Sequence, residues 1–121
     1  MKFTSDYLAK KWLQEGEVFV DLVSDYGDWP SVIVKAKIDT GADRTSVHED
    51  ICIALGWETV SSKKVRNANG IKIRNVYWAT FVFEGIEYSS EVTASDRSKL
   101  SHPMLIGSDI LRETLGILEE E

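Results

Sequence analysis

The sequence predicts one mostly β domain, closed into a barrel or sandwich, with a few short helices. Three observations carry this: runs of β-branched and aromatic residues with period-two alternation, turn residues between the runs, and a length of 121 residues, which suffices for one core and not for two. Apolar residues at 43% and only two prolines, with no low-complexity tract, agree with an ordered globular chain.

Taken in order, residues 3–14 set Phe3, Tyr7, Leu8, Trp12 and Leu13 on one helical face, and Gly16 ends the pattern. Residues 1–16 therefore read as a helical extension and 17–121 as the domain proper. The polar face of that helix is not markedly basic, so its apolar stripe is expected on the domain or on a partner subunit, not in a membrane. Residues 17–24, with Val18, Phe19, Val20, Leu22 and Val23, read as a strand. The turn-rich Asp25-Tyr26-Gly27-Asp28-Trp29-Pro30 leads into a second strand over 32–38, whose apolar residues at 32, 34, 36 and 38 predict one buried face.

That second strand delivers Asp39-Thr40-Gly41-Ala42. A carboxylate emerges where the strand ends, Thr40 places a hydroxyl beside it, and Gly41 lets the backbone fold tightly enough to turn its N–H to the acid. Such an arrangement holds an acid still, as general acid/base chemistry requires. Asp-Thr-Gly is also an ordinary turn after a strand, so the rest of the chain must decide between the two.

Beyond it, residues 45–47 read as a short strand and 48–55 as a short helix ended by Gly56. Residues 57–66 and 71–83 are two extended segments joined by Asn67-Ala68-Asn69-Gly70, where Asn-Gly predicts a type I′ hairpin turn. Ile86, Tyr88, Val92 and Ala94 alternate along a further strand after Glu84-Gly85. Leu105-Ile106-Gly107 reads as a brief buried strand, Ser108 or Asp109 as the cap of a helix over 110–113, and residues 115–118 as a last strand.

The formal net charge of −6 argues against a general nucleic-acid binder. Cys52 is the lone cysteine, which excludes an internal disulfide and fits a reducing compartment. With no apolar stretch long enough to cross a bilayer and no signal-like start, a cytoplasmic location is expected. His48 and Cys52, four apart, could point two metal ligands one way, but zinc needs three or four, and a buried structural cysteine is the commoner case, so no metal and no cofactor are expected. Ser46 and His48 are near in sequence, which is not triad geometry. The four tryptophans share no period, and packing is the default for each.

The order of parts resembles the retropepsin-like aspartic proteases: a hairpin, Ile38-Asp39-Thr40-Gly41-Ala42-Asp43, a short helix, an Asn-Gly hairpin, then Leu105-Ile106-Gly107 and a helix. More narrowly, residues 35–42, Thr45-Ser46-Val47-His48, Asp96-Arg97-Ser98 and Pro103-Met104-Leu105-Ile106-Gly107 look like prokaryotic retropepsin-like proteins often labelled ATP-dependent zinc protease. The chain departs from that group in carrying Ser108 where an arginine is common. An ion pair to Asp43 would then be missing, or come from Arg44 or Arg112. No His-Glu-x-x-His supports a zinc mechanism.

The resemblance implies an aspartic endopeptidase. Asp39, Thr40 and Gly41 would be catalytic, with one Asp39 from each subunit of a homodimer holding the reacting water, because the chain has a single Asp-Thr-Gly and no room for a second lobe. Ala42 and Asp43, with Gly41, would hydrogen-bond an extended peptide, and the hairpin at Ala68, Asn69 and Gly70 would close over it as a flap. The alternative is a module of the same fold that binds peptides or dimerises but cleaves poorly.

One feature is independent of the resemblance. No acidic residue lies between Thr59 and Phe83, whereas Lys63, Lys64, Arg66, Lys72 and Arg74 do. These bases either prevent edge-to-edge pairing of an exposed hairpin or attract an acidic peptide, with RNA or DNA as a third reading.

Overall fold

The computed structural model describes residues 16–27, 31–67, 70–96 and 101–115. Seven strands and two short helices follow in chain order: β1 Glu17–Leu22, β2 Val32–Ile38, β3 Ser46–His48, α1 Glu49–Ala54, β4 Glu58–Asn67, β5 Gly70–Phe83, β6 Ile86–Ser95, β7 Met104–Ile106 and α2 Ser108–Leu115. The fold is thus mostly β with short helices, as the sequence predicts. The helix expected over 3–14 lies outside the described residues.

The strands form one sheet in the order β1-β2-β7-β3-β6-β5-β4, and β1 also pairs with β5. That second pairing rests on Asp21↔Val82 and Leu22↔Phe81 alone, so the sheet bends into a partial ring and not the closed barrel expected, with β4 as an outlying edge. Alternation explains which side faces in. Val34, Ala36 and Ile38 of β2 are buried with Val20 and Leu22 of β1, while Val32, at the strand's start, is 40% exposed and does not join the predicted buried face. Phe81, Phe83, Met104, Ile106, Ile110 and Leu111 complete the centre. Each phenylalanine buried there contributes about 2–3 kcal/mol.

The turns correct the sequence reading in two places. Asn67 pairs directly with Gly70, so Gly70 closes the β4–β5 ladder instead of occupying a central turn position; Ala68 and Asn69 lie outside the described residues. Among the described residues, the positive dihedrals of a type I′ turn are those of Glu84 and Gly85, with φ 55° and 78°, between the paired Phe83 and Ile86. At the C-terminal side, the helix expected over 110–113 runs Ser108–Leu115, which takes Leu115 out of the predicted last strand. Residues 116–118 lie outside the described ones.

Short helix α1 has no side-chain cap but carries Glu49 and Asp50 in its first turn, where negative charge suits the helix dipole. Gly56 ends it with φ 73°, and a Cβ there would sit 2.7 Å from the Tyr26 ring, so glycine is required both by conformation and by space. Trp57 is buried and donates its indole N–H to the Val23 carbonyl at 2.8 Å, satisfying its one polar atom.

Candidate active site

Strand order builds the site. Because β7 lies between β2 and β3, parallel to β2 and antiparallel to β3, the chain leaving β2 must pass around the end of β7 before it can enter β3. The segment that makes this passage is residues 39–45, the predicted acidic loop. It is stitched to β7 and to the start of α2: Asp39 N–H donates to the Ile106 carbonyl at 2.9 Å, and Ser108 N–H donates to the Ala42 carbonyl at 2.8 Å.

Within the loop, Gly41 N–H donates to Asp39 Oδ1 at 3.0 Å, the bond that the glycine's position predicts. Ala42 N–H donates to the Asp39 carbonyl at 3.2 Å, which closes a tight turn. Asp39 is half-buried, whereas Thr40, Gly41 and Asp43 are exposed. The carboxylate is therefore held from its own loop, with its neighbours open to solvent.

Gly107 shows why the second motif must end in glycine. A Cβ at this residue would lie 2.7 Å from the Arg44 backbone and 2.8 Å from the Ala42 carbonyl oxygen, closer than any side chain tolerates. Leu105-Ile106-Gly107 is thus the floor on which the Asp39 loop rests.

A further pair fixes the loop's far end, and sequence reasoning missed it. Thr45 is wholly buried; its hydroxyl donates to Asp109 Oδ1 at 2.8 Å and accepts from Gly107 N–H at 3.1 Å, while its own N–H donates to Asp109 Oδ2 at 3.1 Å. Asp109 Oδ1 also accepts from Ile110 N–H at 2.8 Å. Asp109, read as a possible helix cap, instead ties α2 to a loop 64 residues earlier. No local pattern in the sequence signals this, since both residues are ordinary near a strand start and a helix start.

The competing residues have other occupations. Cys52 is fully buried, and its thiol is pushed up to about 12 chiefly by that burial, with nearby Glu49 adding to the effect. A thiol in that state is not a nucleophile. His48 closes β3 and stands as the N-cap residue of α1, with Nε2 3.4 Å from Asp50 Oδ2 and Nδ1 3.3 Å from the Ser95 carbonyl. Arg44 pairs with Glu91 at 3.7 Å, not with Asp43. Glu49 accepts from Asn75 Nδ2 at 2.7 Å and from the Tyr77 hydroxyl at 3.0 Å, joining α1 to the base of the β4–β5 hairpin. Burial, with the Glu49 hydrogen bond second, raises the Tyr77 phenol.

Among the described residues no helix is long and apolar enough to cross a membrane. No protein-family model matches the chain, and no curated protein does. Solved structures do. The Simian foamy virus (mac) protease shares 21% identity over 87% of this chain and 97% of its own, with a TM-score of 0.58. The EIAV protease, solved with the inhibitor HBY-793, shares 17% over 81% of this chain and 86% of its own, with a TM-score of 0.60. A foamy viral protease-reverse transcriptase shares 17% over 76% of this chain and 11% of its own length, with a TM-score of 0.54. At these identities the likeness is one of architecture: the chain has the retropepsin-like fold, and these neighbours do not bear on the narrower prokaryotic resemblance.

Proposed function

We propose that this protein is an aspartic endopeptidase, active as a symmetric homodimer in which each subunit contributes one Asp39. The observation that carries the reading is the Asp39 carboxylate, held by Gly41 N–H on a loop anchored across β7, in a fold shared with retroviral proteases. These 121 residues carry one Asp-Thr-Gly, and in this reading the second acid is the Asp39 of another copy. Two carboxylates a few ångströms apart do not both ionise, the known behaviour of aspartic-protease dyads; one keeps a proton. The ionised member takes a proton from a water held between them. The protonated member donates to the scissile carbonyl oxygen as that water attacks. Collapse of the tetrahedral adduct breaks the C–N bond, and the nitrogen leaves with a proton returned by the dyad.

In this reading exposed Thr40 lies at the axis, where it would join the two loops. Gly41, Ala42 and Asp43 offer backbone to an extended substrate, and the hairpin ending at Gly70 closes over it. A cytoplasmic setting and a helical extension over 1–16 belong to the same proposal. Replacing Asp39 by Asn should lower peptide cleavage by roughly a thousandfold or more, with thermal unfolding and sedimentation unchanged. A strictly monomeric wild-type protein, or full activity in Asp39→Asn, would overturn it.

One observation favours the second reading, a peptide-binding or dimerisation module. With serine at 108 and Arg44 turned to Glu91, Asp43 makes no ion pair among the described residues, so the wall of the peptide site is less constrained. A module of this kind would bind peptides equally well before and after the Asp39→Asn change and cut none.

A further inference from the structure

We propose that the β4–β5 hairpin makes this protein selective for acidic peptides, namely extended segments whose apolar residues are flanked by Glu or Asp. This deepens the peptidase reading and rests on it.

The two faces of the hairpin can be told apart by alternation. On β5, Tyr77, Ala79, Phe81 and Phe83 belong to the core cluster, whereas Val76, also buried, does not, and Asn75 reaches the same Glu49 carboxylate as Tyr77, so odd-numbered positions face the core side. Continued outward past the core, that face carries Ile73 and Ile71, which are 68% and 56% exposed. Directly opposed residues of an antiparallel pair share a face. Ile73 stands opposite Lys64 and Ile71 opposite Arg66. The core-side face of the free hairpin therefore presents two isoleucines and two cations, each isoleucine beside a base.

Charge on the hairpin is uncompensated. Lys63, Lys64, Arg66 and Lys72 are exposed and make no ion pair among the described residues. Arg74 differs, since it lines a cleft of roughly 360 Å³ with His48, Glu49, Asp50 and Asp96 and faces acids there. A purely protective role for the bases, keeping an edge strand from pairing, does not explain why two isoleucines are left open between them. A nucleic acid would satisfy the cations but not the isoleucines. An acidic peptide with apolar residues satisfies both: its carboxylates meet Lys64 and Arg66, its apolar side chains cover Ile71 and Ile73, and attraction to the local positive field speeds encounter despite the chain's net negative charge.

The test uses the full chain carrying Asp39→Asn and two labelled peptides of one length, identical except that Glu in the first is Gln in the second. Fluorescence anisotropy should give about tenfold tighter binding of the Glu peptide at low salt, and the gap should close by about 0.5 M salt as screening shortens the reach of the charges. Changing Lys64 and Arg66 together to Glu should bring the ratio of the two affinities to about 1 or below. If that double variant does not fold, Lys64→Gln with Arg66→Gln should bring the ratio toward 1. Equal binding of both peptides, a gap insensitive to salt, or tighter binding of a single-stranded RNA of equal charge would overturn the proposal. Cleavage by the wild-type chain separates the two ideas. If it cuts both peptides with the same kcat/KM and the same salt response, the peptidase reading stands and this selectivity falls. If it binds the Glu peptide preferentially and cuts neither, the peptidase reading fails and the hairpin remains an acidic-peptide surface.

Discussion

Thr45 concentrates the residue-scale logic of this protein. Its hydroxyl and N–H serve Asp109 and Gly107 at once, in a spot with no access to water. Replacing it with Val keeps the volume but strands the Gly107 N–H and removes one donor from Asp109, at a cost of about 1–3 kcal/mol. A melting temperature several degrees lower is expected by circular dichroism, with Thr45→Ser recovering most of the loss because the hydroxyl returns. Because this anchor fixes the far end of the Asp39 loop, peptide cleavage by Thr45→Val should fall even where the protein remains folded. Asp39 and Gly41 were legible from the sequence because their relation is local, two residues apart along one turn. Thr45 and Asp109 were not, because only the passage of the chain around β7 brings them together.

At the scale of elements, the hairpin turns carry the clearest lesson. An Asn-Gly pair suggested a type I′ turn at residues 69 and 70, yet Gly70 pairs in the ladder, and the turn of that class among the described residues is Glu84-Gly85. Once Phe83 opposes Ile86, a two-residue turn of a primed type matches the twist of the strands, and here both central residues take positive φ. Glu84 bears that conformation at φ 55° without glycine's freedom, a strain on the order of 1 kcal/mol. Glu84→Asn should relieve part of it, since Asn tolerates this region, and raise the melting temperature by a few degrees in a thermal scan. A lower melting temperature would mean that the Glu84 side chain contributes more than its backbone costs.

For the molecule as a whole, the ring depends on joints between distant segments. One such joint is Glu17, at the start of β1, with Oε2 2.7 Å from His102 Nε2 ahead of β7; Ser101 Oγ lies 2.7 Å from the other ring nitrogen. The hydrogen bond to His102 holds the Glu17 carboxyl below its usual value of 4.5, outweighing an opposing desolvation, and Lys35 at 3.8 Å adds to the lowering. A carboxyl whose folded pKa is depressed adds stability that is present above the unfolded pKa and disappears as pH falls through the folded one. Glu17→Gln should therefore melt below wild type at about pH 6, and the two should converge below about pH 3. A difference that persisted unchanged into acid would place the joint's contribution in packing and not in charge.

By itself the sequence determined what depends on neighbours along the chain. Alternation marked the strands, Gly56 marked the end of α1, and Asp39 with Gly41 formed the acidic turn, because each of these is a contact or a dihedral preference spanning a few residues. Only the tertiary structure decided that β7 separates β2 from β3, that Gly107 must be bare beneath Arg44 and Ala42, that Thr45 is locked to Asp109, and that the ring closes only in part. Those outcomes follow from which distant strands pair. Many pairings would bury the same apolar faces, and the choice among them is made by steric fit and by satisfying buried polar groups across the whole chain.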